Sequence, residues 1–488
     1  MDHPKLIMYI LSLLPLVAYV SATAIDHGIT AAPMPTGAVV EKRQAASLTA
    51  TVTLSSSIGT PSHLASGFIY GIPDTANQIP DSFYTQMGFN FARAGGAQVG
   101  APGRGWIWGL TEYKNRFASA LSNYRTARKY NAQFIFLIHD LWGADGTQNS
   151  SAIYPGDNNN WSSWDSYLTQ VISDMNANGM TSGIAIDIWN EPDLSIFWAR
   201  SQSQWLQMYG RTYSRFRSAF PSMPLYGPTL AGSPVSSNSW WTSYLSFIRS
   251  NNSIPNVYAW HLEGNSADVN DDLQTNMGNF NSMLSAAGLP TNPAINVNEY
   301  GNVNEQVPAG AAWWISRLER YNARGLRGNW LGGAALHDFM ASLLGKPNAG
   351  TGSYNPTAGG YWPNGEYQVY KYYASSMTGR RVKTSGSTDR FLDVYATIGS
   401  DRLRVLCGVR LKTGTWQLTL QGLSSIGKAT SGSVNIQTWG FPNTGGHFGR
   451  LDAPTDLGIV AHTYSGDSVT FPIFQTDTST AYAFEIIL

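Results

Sequence analysis

Two kinds of hydrophobic pattern divide the chain. Between residues 62 and 372, short apolar runs alternate with stretches of helical period. The runs at 67–72, 90–94, 133–139, 184–189, 224–229, 257–261, 295–298 and 332–337 predict eight strands, apolar on both faces as in a parallel sheet. Helices are predicted between them, most clearly at 201–217 and 311–324. Eight strand–helix units over this length predict an α/β fold of the (β/α)8 TIM-barrel type. A doubly wound open sheet is the competing architecture, but Tyr70-Gly-Ile-Pro-Asp74 after the first strand is not a Gly-rich phosphate turn. From residue 373 the pattern changes to short alternating runs, such as 391–395, 403–409, 415–420 and 481–487, set between Gly, Ser, Thr and Asn. This predicts a C-terminal β-sandwich. Residues 48–54 alternate in the same way, and are expected to pair into that sandwich. The expected organisation is therefore a strand segment at 44–61, a barrel at 62–372 and a sandwich at 373–488. The sandwich is expected to brace the barrel rather than to bind glycan.

The first residues have the character of an address. Lys5 precedes an apolar stretch at 6–20, followed by Ser21-Ala-Thr-Ala24 with its small-x-small spacing. Residues 1–24 read as a signal peptide, and 25–43, ending Glu41-Lys42-Arg43, as a propeptide, so that a secreted mature chain begins at Gln44. The apolar stretch is short for a membrane span of about 20 residues. Lys plus Arg equals Asp plus Glu at 31 each, so no net field favours nucleic acid or an anionic membrane. The single cysteine, Cys407, excludes an intrachain disulfide and reads as a buried thiol. Seventeen Trp and 25 Tyr suit both a core and the apolar faces of sugars. Asn149, Asn160 and Asn251 stand in glycosylation sequons. A monomer is expected, with no cofactor and no metal.

Candidate chemistry collects at strand ends. The run beginning Ile184-Ala-Ile-Asp-Ile is cut short at Trp189-Asn190-Glu191-Pro192, because proline cannot give a ladder hydrogen bond. Glu191 is thereby placed at the carboxyl end of a strand, where barrel enzymes hold their chemistry. Ala294-Ile-Asn-Val-Asn-Glu-Tyr-Gly301 places Glu299 in the same way. Two carboxyl groups on one rim are what glycoside hydrolysis requires. Arg93, His139-Asp140, His261-Leu-Glu263 and His337-Asp338 fall at other predicted strand ends, and Trp106, Trp108 and Trp142 on loops are candidate stacking platforms. The His–acid pairs also permit a metal-dependent barrel hydrolase. In that reading strand one lacks His-x-His and Asn-Glu-Pro has no task. A non-catalytic glycan-binding protein is the other rival, and the presence of both glutamates speaks against it.

Strand-Asn-Glu-Pro on a fourth barrel strand and strand-Glu on a seventh resembles clan A of the retaining glycoside hydrolases. The order of features over about residues 67–370 is most similar to family 39 and its fungal relatives. The resemblance implies that Glu191 is the acid/base and Glu299 the nucleophile. It implies that Asn190 bonds the sugar 2-hydroxyl and that Arg93 holds the nucleophile's charge. His139, His261, Glu263, Trp142, His337 and Asp338 complete the expected substrate-binding set. The implied activity on a carbohydrate is β-xylosidase-like, with an α-L-arabinofuranosidase or an endo-acting exopolysaccharide hydrolase as alternatives. Three departures bear on the sugar: Arg93-Ala-Gly-Gly96 where family 39 has Arg-x-His-Gly, Glu263 where an aromatic hydroxyl is usual, and His337-Asp338 where many clan members have Trp.

Overall fold

A computed structural model describes residues 48–264 and 268–488, within one compact unit, Gln44–Leu488. The signal-peptide and propeptide readings lie outside the described residues. The strand β1 (Thr49–Ser57) precedes a closed parallel barrel of β2 (Gly67–Ile69), β3 (Phe91–Ala94), β4 (Gln133–Leu137), β5 (Ile184–Asp187), β6 (Leu225–Leu230), β7 (Val257–Leu262), β8 (Ile295–Tyr300) and β9 (Arg324–Arg327). Every residue of β5, β6 and β7 is buried, because helices cover the outside and side chains fill the inside. The fold is the expected (β/α)8 barrel followed by a β-sandwich.

Two boundaries differ from the sequence expectation. The eighth strand is Arg324–Arg327, while Gly333–His337 forms a 3₁₀ turn. Arg-Gly-Leu-Arg has no apolar run to announce it, and its arginines are compensated only in the folded chain. Arg324 donates to Gln133 (3.1 Å) and to the Tyr226 hydroxyl (3.0 Å), and Arg327 makes a two-pronged pair with Glu366 at 2.7 Å. The third barrel strand stops at Leu137, and His139 lies in the short helix Ile138–Trp142.

A small hairpin of β10 (Leu344–Gly345) and β11 (Trp362–Pro363) decorates the segment after β9. The remaining strands are β12 (Arg380–Ser385), β13 (Leu392–Ile398), β14 (Arg402–Val409), β15 (Gly414–Gln421), β16 (Gly432–Phe441), β17 (Thr455–Tyr464), β18 (Ser468–Gln475) and β19 (Ala481–Ile487). They join β1 in the order β17-β16-β19-β14-β13-β12-β1-β15-β18. β12 is the corner, pairing with β13 through Arg380 and Arg381 and with β1 through Val382 to Ser385. One core, including Val52, Val394, Val405, Leu418, Phe471 and Ile486, draws on both halves, so the sheet closes on itself as a sandwich. β1 also runs parallel to β15, from Thr49 opposite Gln417 to Thr53 opposite Gln421.

The helix Pro308–Arg320 lies between barrel and sandwich, buried along almost its whole length and packed on β13, β14 and β19. Its arginines cross the junction: Arg317 pairs with Asp393 (3.0 Å) and Asp272 (3.1 Å), and Arg320 also grips Asp393. Arg410 of the sandwich reaches Glu305 of the barrel at 2.6 Å. The approach is closest at Gly408, where an added Cβ would overlap the Ala309 carbonyl and lie 2.6 Å from the Trp313 nitrogen. Gly408→Leu is therefore expected to push this helix off the sheet. A loss of about 2–4 kcal/mol of stability is expected in denaturant titration, with a barrel that loosens together with the sandwich.

Candidate active site

Arg93 organises the rim. It is fully buried at the end of β3 and splits its guanidinium among three elements: Nε donates to Asp187 Oδ2 of β5 (2.8 Å), Nη1 to Glu299 Oε1 of β8 (2.7 Å) and Nη2 to Asn190 Oδ1 (2.7 Å). A buried guanidinium must be paired in this way, since its charge has no water to solvate it. Asp187 is completed by the Thr229 hydroxyl (2.8 Å) and Asn298 Nδ2 (2.9 Å).

Two irregularities aim the glutamates. Between β6 and β7 the register slips at Thr229, whose φ is 58°. The carbonyl of this extra residue accepts the Glu191 N–H at 2.9 Å. Between β7 and β8 the register slips again, bringing His261 opposite Glu299. Glu191 itself has φ 42°, a left-handed conformation costing about 1–2 kcal/mol in a residue with a Cβ. Asp193 holds the turn in place by accepting the N–H groups of Ala231 (2.9 Å) and Gly232 (2.8 Å).

His261 stands between the carboxyl groups, its Nδ1 at 2.8 Å from Glu191 Oε1 and its Nε2 at 3.6 Å from Glu299 Oε1. Asn190 Nδ2 faces Glu191 Oε2 at 3.5 Å. Burial pushes Glu191 up to about 7, against the pull of Arg93 and Asn190 in the other direction. Burial also raises Glu299, opposed by His261 and by Arg93. The His261 ring is driven down to about 4 by the same desolvation and is neutral near pH 7. Glu263 lies beside Glu299, in the hollow left by Gly328, rather than against Arg93.

Other expected site residues are placed elsewhere. Trp142 is 1% exposed, packed against Trp164 and Tyr167 with its indole N–H on the Ile153 carbonyl; it is core, not a platform. His139 is fully buried, its ring tilted against Trp189 at 4.2 Å with Nε2 on the Ala144 carbonyl (2.8 Å), so it offers nothing to a substrate. Asp338 is 1% exposed and spends its carboxylate on Lys346 (2.5 Å), Tyr354 (2.6 Å) and Tyr361 (2.5 Å). It fastens the segment around β10 and β11. His337 is half-buried, its Nε2 on the Ala97 carbonyl at 2.8 Å. Trp106 borders an outer groove with Asp165 and Arg211, and Trp108, more than a third exposed, stacks under Arg104 at 4.3 Å. The three His–acid pairs therefore do not converge on one cation. Among the described residues, the donor atoms that come within 4.8 Å of one another belong to Glu191, His261 and Glu263.

Residues that sequence reasoning missed include Asp187, Thr229 and Asn298 beneath the rim, and Trp330. The last follows β9 directly, and its indole donates to the Gly301 carbonyl at 3.1 Å, beside the end of β8. Placing the eighth strand at Arg324–Arg327 would have drawn attention to this tryptophan.

No family model matches the chain, and no curated protein matches it by sequence. Solved structures do resemble it. N2152 from Neocallimastix frontalis is 20% identical with a TM-score of 0.69, covering 90% of this chain and 98% of its own. The GH39 enzyme from Xanthomonas axonopodis pv. citri (12% identical, TM-score 0.56, 90% and 97% covered) and a monomeric beta-xylosidase from Caulobacter crescentus CB15 (15%, 0.54, 90% and 99%) share the same architecture. These are likenesses of fold, extending over barrel and sandwich together.

Two outcomes follow from the electrostatics. Arg93→Ala would leave Asp187 and Glu299 without their cation, and about 3–5 kcal/mol of stability should be lost in urea unfolding. Glu191 has a folded-state pKa of about 7, raised from 4.5, so the native state binds its proton more tightly than the unfolded chain does. Its contribution to stability is therefore lost as pH rises through that window. Glu191→Gln lacks this penalty. Its advantage over the wild type should be negligible at pH 4 and grow to about 3 kcal/mol by pH 8 in pH-dependent melting.

Proposed function

We propose that the protein is a retaining glycoside hydrolase in which Glu191 is the acid/base and Glu299 the nucleophile. The observation that carries this reading is the unequal treatment of the two carboxyl groups on one rim. Glu299 is bonded to the buried Arg93 cation, whereas Glu191 is held on His261 and pushed up to about 7. A retaining mechanism needs this division, one group ionised to attack the anomeric carbon and one protonated to release the leaving oxygen. When the glycosyl–Glu299 ester forms, the negative charge beside Arg93 disappears. Glu191, having given up its proton to the leaving group, then accepts one from water as that water attacks. Asn190, oriented by Arg93, is suited to bond the sugar 2-hydroxyl, and Trp330 to stack on the ring.

The fold shared with a GH39 enzyme and a beta-xylosidase supports a β-xylosidase-like specificity. We propose secretion after removal of residues 1–43, with glycans at Asn149, Asn160 and Asn251, all three of which are exposed. A panel of nitrophenyl glycosides and polysaccharides tests the substrate, and arabinofuranoside or internal-chain cleavage would replace the xylosidase reading.

Variants separate the two roles. Glu191→Ala should still form the intermediate from a dinitrophenyl glycoside and then stall, and azide should restore turnover with retained configuration. On poor leaving groups its loss should reach about 10²–10⁴-fold or more. Glu299→Ala should form no intermediate from any substrate, azide giving only an inverted product. Rescue confined to Glu299→Ala, with Glu191→Ala indifferent to the leaving group, would reverse the assignment.

A further inference from the structure

Glu263 is the chemical group at the rim that the two-glutamate scheme leaves without a task. It lies two residues beyond His261, immediately after the end of β7 and close to the register slip that brings His261 opposite Glu299. Its backbone is fixed by Asn302 Nδ2, which donates to the Glu263 carbonyl at 3.2 Å. The end of β9 is hollowed to receive its side chain, since a Cβ on Gly328 would overlap Glu263 Oε1. The carboxyl thus comes within hydrogen-bonding reach of Glu299, and within 4.8 Å of the facing atoms of Glu191 and His261.

The charges around it cannot all be ionised. Glu299, Glu191 and Asp187 face one cation, Arg93, and His261 is neutral near pH 7. Arg93 bonds Asp187 and Glu299 directly, but not Glu263. Two carboxyl groups in contact hold one proton between them, and the negative charge settles on the member nearer the cation. Burial and the charges of Glu299 and Glu191 push Glu263 well above the usual carboxylate range, Arg93 opposing.

We propose that Glu263 is carried as the neutral acid and donates a hydrogen bond to Glu299, acting as the positioning residue of the nucleophile. The proton stays on Glu263 throughout, and no bond to substrate is made by it. This rests on the retaining-hydrolase reading only for its kinetic consequence; the protonation itself does not.

The chain has nine glutamates, few enough for carboxyl-¹³C NMR of protein labelled at glutamate Cδ. The resonance lost in Glu263→Gln identifies Glu263. It should hold the protonated shift at pH 7, where exposed glutamates are ionised; titration in the ordinary carboxylate range would overturn the proposal, whether or not any glycoside is cleaved. With an aryl glycoside that the wild type hydrolyses, Glu263→Gln keeps a donor. It should retain kcat/KM within about fivefold, whereas Glu263→Leu should lose roughly ten- to a hundredfold. Equal losses in both variants, each still folded by melting, would show that Glu263 acts in another way. If the wild type cleaves no glycoside while Glu263 remains protonated beside Glu299, the functional reading falls and the proton assignment stands.

Discussion

A guanidinium sealed inside a barrel imposes conditions on everything around it. Arg93 has no water to solvate it, so it takes Asp187 from below, Asn190 from the turn after β5 and Glu299 from β8. These bonds leave little freedom in the relative height and rotation of β3, β5 and β8. The polar layer beneath, with Thr229 and Asn298 on Asp187, serves the same end. It keeps a negative charge fixed under the cation, so that Glu299 is one of two anions Arg93 balances rather than its sole partner.

The two rim glutamates differ in their distance to that cation. Glu299 touches it, and Glu191 meets instead a neutral imidazole in a buried setting. The left-handed φ of 42° at Glu191 is the backbone cost of this arrangement. It is borne by hydrogen bonds from Glu191 to Thr229 and from Ala231 and Gly232 to Asp193. Two extra residues in neighbouring strand pairings, small defects in an otherwise regular barrel, are what turn the side chains toward one another.

The sandwich belongs to the same mechanical unit. The helix Pro308–Arg320 is part of the barrel wall and at the same time a floor for β13, β14 and β19, and it follows directly from the loop after β8 that begins beside Glu299. Arg317, Arg320 and Arg410 place buried charge across the junction, which favours one docking geometry, because any displacement leaves an ion without its partner. Such a junction suits a brace for the rim better than a mobile appendage.

The alternation of apolar runs with helical stretches was enough to announce a barrel, because most of its parallel strands are largely apolar on both faces. Pro192, by ending a strand, marked where Glu191 would stand. The eighth strand was not legible, since its arginines are compensated by Glu366, Gln133 and Tyr226 from distant parts of the chain. For the same reason His139, Trp142 and Asp338, chosen as polar or aromatic groups near strand ends, turned out to be occupied by Ala144, by the Trp164–Tyr167 core and by Lys346. Sequence records which groups can do chemistry. Which of them remain free to do it is decided by contacts between residues far apart in the chain, and so by the tertiary structure alone.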